Sequence, residues 1–590
     1  TTTITSAPTM LFDVFISVLL SEFQNVHTLC AERFMVPHVV SQAGFAACFV
    51  LQCAAENNSY TNCIGKHTQV QERSQVFFVH YRYGLVHLHF GGDFCCLGLE
   101  MRLTLCCPMT YCLRWSRVAI KGGPDPMQIT SRGCRPITLV AILICLTAVP
   151  CVRGDSLVRE NSAISVSLDA ADGTMTILDK RTGERWVQKA VVRGTMAETT
   201  IGAHGITGLW RVSGFSVDTS MQIELDGDKP EFTVTLSAQR DMTSPLRYPL
   251  PFVTQAGTCL VIPMNEGISY PVDDASVGTQ RLIAYGGHGI CMPFWGATDG
   301  QRGYMAILET PDDAAILIAR HDGKLCIMPE WDPQKGQFGY ARKVRYVFLD
   351  KGGHVAMCKR YRSYARQTGL LKTLTDKRAV NPNVDLLIGA VNVWYRGKEP
   401  LGMVRDMKSR GIDRILWSNR ASPEIIQAMN DLGGVLTSRY DIYQDLMDPN
   451  VVKEQLRSVH PDWTQAAWPA DIMLDQRGDR RKGWEVRGKD GKMYPCAVLC
   501  DKQAVKYAAE RVPAELKTHP YRCRFIDTTT AAPWRECYHP DHPMTRGESR
   551  RWKMELLRYM SQDVRLVTGS ETGHDAAVPF VHYFEGMLSL

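Results

Sequence analysis

The spacing of apolar and polar positions changes twice along the 590-residue chain and divides it into three regions. Up to residue 126, short apolar bursts follow no sustained period, so no regular element is predicted there. From about 160 to 370 apolar residues recur at every second position. Ile164, Val166, Leu168, Met175 and Ile177 alternate with polar neighbours on either side of Asp172-Gly173, which predicts a β-hairpin. The pattern repeats around Asp226-Gly227-Asp228 and through GYMAILETPDDAAILIARHDGKLCIMPEW (303–331). Many short strands joined by polar turns predict an antiparallel β-sandwich over 155–375.

HVAMCKRYRSYARQTGLLKTLTDK (354–377) predicts a helix followed by a linker. Beyond it, continuous apolar runs alternate with helical ones, the mark of parallel βα units. Predicted strands one to five are VDLLIGAVNVW (384–394), IDRILWS (412–418), GVLTSRYDIY (434–443), RCRFID (522–527) and VRLVTGSE (564–571). A Trp-, Asp- and Gly-rich insertion fills 444–495. The expected fold is therefore multidomain, with an N-terminal antiparallel β-sandwich followed by a (β/α)8 TIM-type barrel over 376–590. Five strands do not close such a barrel, so it is expected to be truncated after about five.

Two carboxylates carry the candidate chemistry. Asp527 ends the fourth strand and Glu571 ends the fifth, and carboxyl ends of neighbouring parallel strands converge on one mouth. Such ends lie about 5 Å apart, compatible with the roughly 5–5.5 Å carboxyl separation of a retaining glycosidase. The shorter Asp527 suits the nucleophile. The longer Glu571, on the Gly569-Ser570 turn, suits the acid/base. The structural alternative is that both acids only cap the helices that follow. Aromatic residues at strand ends and in loops (Trp394, Trp417, Tyr440, Tyr443, Trp463, Trp468, Trp534 and Tyr583) offer faces for sugar rings. Polar groups at strand ends, Asn392, Arg439 and Asp441, offer hydroxyl ligands. The substrate-binding set taken from this pattern is Asn392, Trp394, Tyr440, Asp441, Trp534 and Asp575.

Composition narrows the class. A net charge of +6 with no Lys/Arg stripe among aromatics argues against a nucleic-acid partner. Of 20 cysteines, nine precede residue 127, three lie in 127–154 and eight follow, without the regular spacing of a disulfide framework. In ECYHPDHP, Cys537, His539 and His542 are possible metal ligands, but a fourth is not evident, and no metal or cofactor is expected. Met127 opens MQITSRGCRPITLVAILICLTAVPCVRGDS, with Arg132 and Arg135, an apolar core Ile137–Val149, and a cleavage site at Val152–Gly154. This reads as a signal peptide over 127–154. The expectation is a secreted or periplasmic protein without a membrane span, with 1–126 not part of the native protein.

The motifs SRYDIYQD, FIDTTTA, ECYHPDHPMTR and GSETGHD, in that order, resemble those of glycoside hydrolases that cleave α-linked N-acetylgalactosamine. These are families 101 and 129 and their uncharacterised bacterial relatives, and the resemblance covers roughly 160–590. It implies a retaining α-glycosidase with a barrel behind a β-sandwich and a glycan or glycoside as partner. By motif match the nucleophile falls on Asp527, the acid/base on Glu571 and a sugar-hydroxyl ligand on Asp441. Two other classes stay open: a carbohydrate-binding surface protein without catalysis, and a metal-dependent hydrolase using His539, Asp541 and His542.

Overall fold

A computed structural model describes residues 156–203, 205–212 and 218–586, together with the two-residue strands Tyr81–Arg82 and Leu85–Val86. The chain divides into two units, 1–135 and 136–590, and the described residues from 156 onward belong to the second. The expected signal peptide and most of 1–126 lie outside the described residues.

The alternating half of the second unit is all antiparallel. Nine strands run in the order Ile268–Pro271, Cys259–Ile262, Phe294–Thr298, Gly303–Leu308, Arg342–Leu349, Glu231–Ser237, Thr219–Leu225, Gly205–Val212 and Gly194–Gly202. A four-stranded sheet (within 156–187) and a three-stranded sheet (Gln280–Ile283, Ala314–His321, Lys324–Trp331) accompany it. The buried positions of Ile164–Asp169 and Met175–Asp179 alternate strictly, as the sequence requires of strands with one wet face. At the hairpin between them Gly173 has φ +70, and a Cβ there would run into the Trp210 ring, so the turn needs glycine twice over. Trp210, Tyr248, Phe252, Tyr304, Trp331 and Tyr346 fill the shared core. Helix α1 (Gly353–Gln367) lays Met357, Tyr361 and Ala365 against Phe294, Met305, Ile307 and Val347 of the large sheet.

The remainder is a curled sheet of six parallel strands in sequential order: β1 (Val391–Val393), β2 (Ile415–Trp417), β3 (Val435–Ile442), β4 (Cys523–Asp527), β5 (Val567–Glu571) and β6 (Tyr583–Glu585). It is a partial TIM-like barrel. Two expectations are corrected. Residues 384–387 are a helical turn, entered by a turn in which Asn383 N donates to Asn381 Oδ1 (3.0 Å), and the strand starts only at Val391. And there are six strands, not five: the run HYFE pairs in parallel with β5 through Gly569–Tyr583 to Glu571–Glu585. The insertion after β3 holds a small antiparallel sheet of Asp445–Leu446, Met493–Val498 and Lys482–Arg487.

Helices α2 (Pro400–Ser409), α3 (Pro423–Asp431), α4 (Asp501–Leu516) and α5 (Arg546–Arg558) connect the strands. The N-terminus of α5 is fixed by a reciprocal capping box between Thr545 and Glu548. Among the described residues no helix is long and apolar enough to cross a membrane.

Candidate active site

Register decides which side chains share the inner face. Neighbouring parallel strands point their paired residues the same way, and the pairs Leu416–Leu436, Ser438–Cys523, Tyr440–Phe525, Cys523–Val567 and Gly569–Tyr583 define that face. Leu416, Leu436, Cys523 and Val567 make an apolar floor, with Tyr583 packed against it. A Cβ at Gly569 would meet the Tyr583 ring, so glycine makes room for the aromatic layer of Tyr440, Phe525 and Tyr583. The next inward positions along β4, β5 and β6 are Asp527, Glu571 and Glu585. Three carboxylates thus stand at the carboxyl ends of three consecutive strands.

Each is held differently. Asp527 accepts the hydroxyl hydrogen bond of Tyr440 through Oδ2. Burial raises its pKa, and the Tyr440 bond opposes that shift. Glu571 is also raised, first by burial and then by the negative charge of Asp527. Glu585 accepts from Asn392 Nδ2 and from Trp394 Nε1 (3.1 Å), and Ser418 in turn donates to Asn392 Oδ1 (2.7 Å). Burial raises Glu585 as well, and Asp527 adds to the shift. The charge of Asp527 thus acts on both glutamates and that of Glu585 on Glu571, and the mouth favours holding a proton on one of them.

The chain turns sharply after the first two acids. Thr528 and Thr572, the residues next in sequence, have φ +56 and +54, a left-handed conformation rare for a β-branched residue. The two turns brace each other: Ser570 Oγ donates to Ile526 O (2.6 Å) and Thr530 Oγ1 donates to Glu571 O. From behind, Lys553 on α5 donates to Ala532 O (3.1 Å); its full burial pushes its pKa down to about 8. The open side is a cleft of about 400 Å³ bounded by Trp394, Arg396, Arg420, Tyr440, His460 and Asp462. Trp394 is 46% exposed there and meets Tyr440 and Phe525 edge-on.

Of the residues singled out from sequence, Asp527, Glu571, Asn392, Trp394 and Tyr440 come together. Three do not, and the first of them is Asp441. It alternates with Tyr440 and points outward, fully buried, where Arg524 Nε (2.8 Å), Arg439 (3.3 Å) and Arg511 (3.4 Å) surround it. It is a structural ion-pair centre, and Arg439 lies on that outer face with it. Trp534 is only 5% exposed and packs against Tyr285 and His574. Asp575 is buried at the seam between the two halves, where Tyr361 of α1 donates to it and its own N–H donates to Cys291 O (3.0 Å). The sequence gives no signal for Glu585, because HYFE is short and does not alternate, nor for His460 and Arg420, which lie in loops. Gly287 N donates to Ala531 O (2.7 Å) and docks the sandwich on the loop after β4. Of the candidate metal ligands, Cys537 and His542 meet Cys500, while the His539 ring stacks on His542.

Two carboxylates at the ends of adjacent parallel strands are the arrangement that glycosidic cleavage uses. Residues 408–590 match the family described as "Glycosyl hydrolases related to GH101 family, GH129", in agreement with the motifs. No curated protein sequence matches the chain. Among solved structures, the α-N-acetylgalactosaminidase NagBb from Bifidobacterium bifidum is similar in fold. Its Gal-NHAc-DNJ complex superposes with a TM-score of 0.60 at 19% identity, covering 73% of this chain and 79% of that one. Its ligand-free form gives 0.60 at 20% identity, covering 73% and 80%, and its GalNAc complex 0.60 at 20%, covering 73% and 79%.

Proposed function

We propose that the protein is a retaining α-glycosidase acting on α-linked N-acetylgalactosamine or a related α-galactoside. The observation that carries this reading is the placement of Asp527 and Glu571 at one mouth, on adjacent parallel strands, with the charge of Asp527 raising the pKa of Glu571. Asp527, oriented by Tyr440, attacks the anomeric carbon as a carboxylate. Glu571, kept protonated by burial and by its neighbour, gives its proton to the leaving oxygen. In the second step Glu571, now a carboxylate, takes a proton from water, which attacks the same carbon and releases Asp527. Glu585, fixed by Asn392 and Trp394, receives hydroxyl hydrogen bonds of the sugar, and the exposed face of Trp394 stacks on the ring. The sugar class is supported by the resemblance to GH129 and by the likeness to NagBb, an α-N-acetylgalactosaminidase solved with GalNAc.

Hydrolysis of aryl α-N-acetylgalactosaminides by purified protein tests the reading. Asp527→Asn should lower kcat by at least about 10³-fold. Glu571→Ala should lose most activity on substrates with poor leaving groups but little glycosylation rate on dinitrophenyl glycosides, and azide should restore turnover through an azide adduct of retained configuration. Inverted product, or full activity in either variant, would overturn it. Sugar binding without any turnover would favour a carbohydrate-binding protein instead. Secretion from the Met127 signal belongs to the same proposal: N-terminal sequencing of exported protein should begin near Asp155.

A further inference from the structure

We infer that Cys500, Cys537 and His542 form a structural zinc site behind the active-site wall. Their donor atoms all lie within 4.8 Å of one another, and all three residues are buried. They come from separate segments. Cys500 directly precedes α4, whereas Cys537 and His542 sit on a tight hairpin closed by Cys537 N to Met544 O (2.9 Å) and Met544 N to Cys537 O (3.0 Å). The Cys-x4-His spacing on one hairpin presents two ligands to one point.

The histidine is already arranged as a ligand. Its Nε2 lies 3.0 Å from Ala470 O, a partner that only accepts, so the proton belongs on Nε2. Nδ1 is then the acceptor of a long bond from the Cys537 thiol (Sγ at 3.6 Å), the position a metal would take. A ring nitrogen anchored on a backbone carbonyl with the other free is how metal-bound histidines are held. The His539 ring stacks on it at 4.0 Å and 5°, fixing its plane, and His539 N donates to Cys537 Sγ (3.5 Å), a bond that strengthens when the sulfur is a thiolate. The surroundings are apolar: Met473, Val498, Met544 and Trp552. Buried thiols in such a cluster need no partner, since they pack as small hydrophobes. The imidazole lone pair has only the long contact to the Cys537 thiol, and one ion would bind all three groups at once.

Two sulfurs and one nitrogen select a soft ion over calcium or magnesium, and Zn²⁺ suits them tetrahedrally. A water, or the thioether of Met473 or Met544, completes the fourth position. On binding, both thiols lose their protons to solvent and the ion sheds water as two Zn–S bonds and one Zn–N bond form. The ion would tie the insertion to the loop after β4, since Cys500 N already donates to Asp471 O (2.9 Å) and Tyr538 N to Leu474 O (2.9 Å).

The test uses the full chain purified without chelator and under reducing conditions. Elemental analysis should give about one zinc per chain, and Cys500→Ser and Cys537→Ser should each lose it. Should the serine variants fail to fold, cobalt exchange in the wild type decides. Co²⁺ should show thiolate-to-cobalt charge transfer and tetrahedral d–d bands, and both thiols should resist alkylation until chelator is added. The proposal is overturned if zinc persists in Cys500→Ser, if the Co²⁺ spectrum lacks thiolate bands, or if zinc-free protein takes up no added Zn²⁺. It is equally overturned if intact mass and peptide mapping find a Cys500–Cys537 disulfide under those conditions.

Discussion

Asp527, Glu571 and Glu585 share one mouth, and their charges couple their titrations. Turnover by the proposed mechanism needs Asp527 ionised and Glu571 protonated. Activity should fall as pH drops through the raised pKa of Asp527, and fall again as pH rises through the raised pKa of Glu571. The bell in kcat/KM should thus lie above the ordinary carboxylate range on both limbs. Glu585→Gln removes one of the charges that raises Glu571. Its alkaline limb should move to lower pH, and kcat/KM should fall about 10–100-fold through the lost charged hydrogen bond to substrate. An unmoved alkaline limb would separate Glu585 from the acid cluster. The threonines after the acids offer a second residue-scale test. Thr528→Gly or Thr572→Gly relieves a left-handed β-branched residue and should raise stability by about 1 kcal/mol in urea unfolding. The same change loosens the turn that aims the acid, so kcat should fall while stability rises.

At the scale of elements, strand alternation separates chemistry from support. Tyr440 and Asp441 are neighbours in β3, yet one bonds the Asp527 carboxylate and the other anchors the far side. Through Arg439 and Arg524, Asp441 joins β3 and β4 to Glu515 on α4 (2.6 Å to each arginine). Arg439 also reaches Asp462 of the cleft wall (2.7 Å). Removing Asp441 leaves the fully buried Arg524 with Glu515 as its one remaining acidic partner, and removing one member of a buried charge cluster costs about 3–5 kcal/mol. Asp441→Ala should therefore unfold at much lower denaturant concentration, while the fraction that stays folded keeps the KM of the wild type. A raised KM with unchanged stability would return Asp441 to the sugar site.

At the scale of the whole unit, the sandwich and the half-barrel meet along a polar seam. Arg546 of α5 bonds Asp313 (2.6 Å), Arg550 bonds Asp312 (3.0 Å), Lys335 N bonds Glu536 (2.6 Å) and Tyr361 bonds Asp575. Asp575, directly after the Glu571 turn, is fully buried, and burial pushes its pKa up to about 6. A carboxyl raised in the fold contributes stability below its unfolded pKa, near 4, and loses it as pH rises through about 6. Asp575→Asn does not titrate. It should match the wild type near pH 4 and exceed it above pH 6, by at most about 3 kcal/mol. Chemical denaturation at several pH values checks this, and a pH-independent difference would refute it.

What the sequence by itself determined follows from local physics. Period-two alternation gave the antiparallel half, since a strand with one wet face must alternate. Continuous apolar runs between helical ones gave the parallel half. Strand-final carboxylates gave Asp527 and Glu571, because the ends of parallel strands converge whatever the loops do. The tertiary structure decided everything that depends on which face a side chain shares with a distant residue. It moved Asp441 to the arginine cluster, buried Trp534 against Tyr285, and placed Asp575 in the seam. It also brought Cys500 to Cys537 across 37 residues of chain, and made a sixth strand of Tyr583–Glu585. That strand is three residues long and has no pattern of its own; pairing with β5 forms it, and only that pairing sets Glu585 beside the two acids.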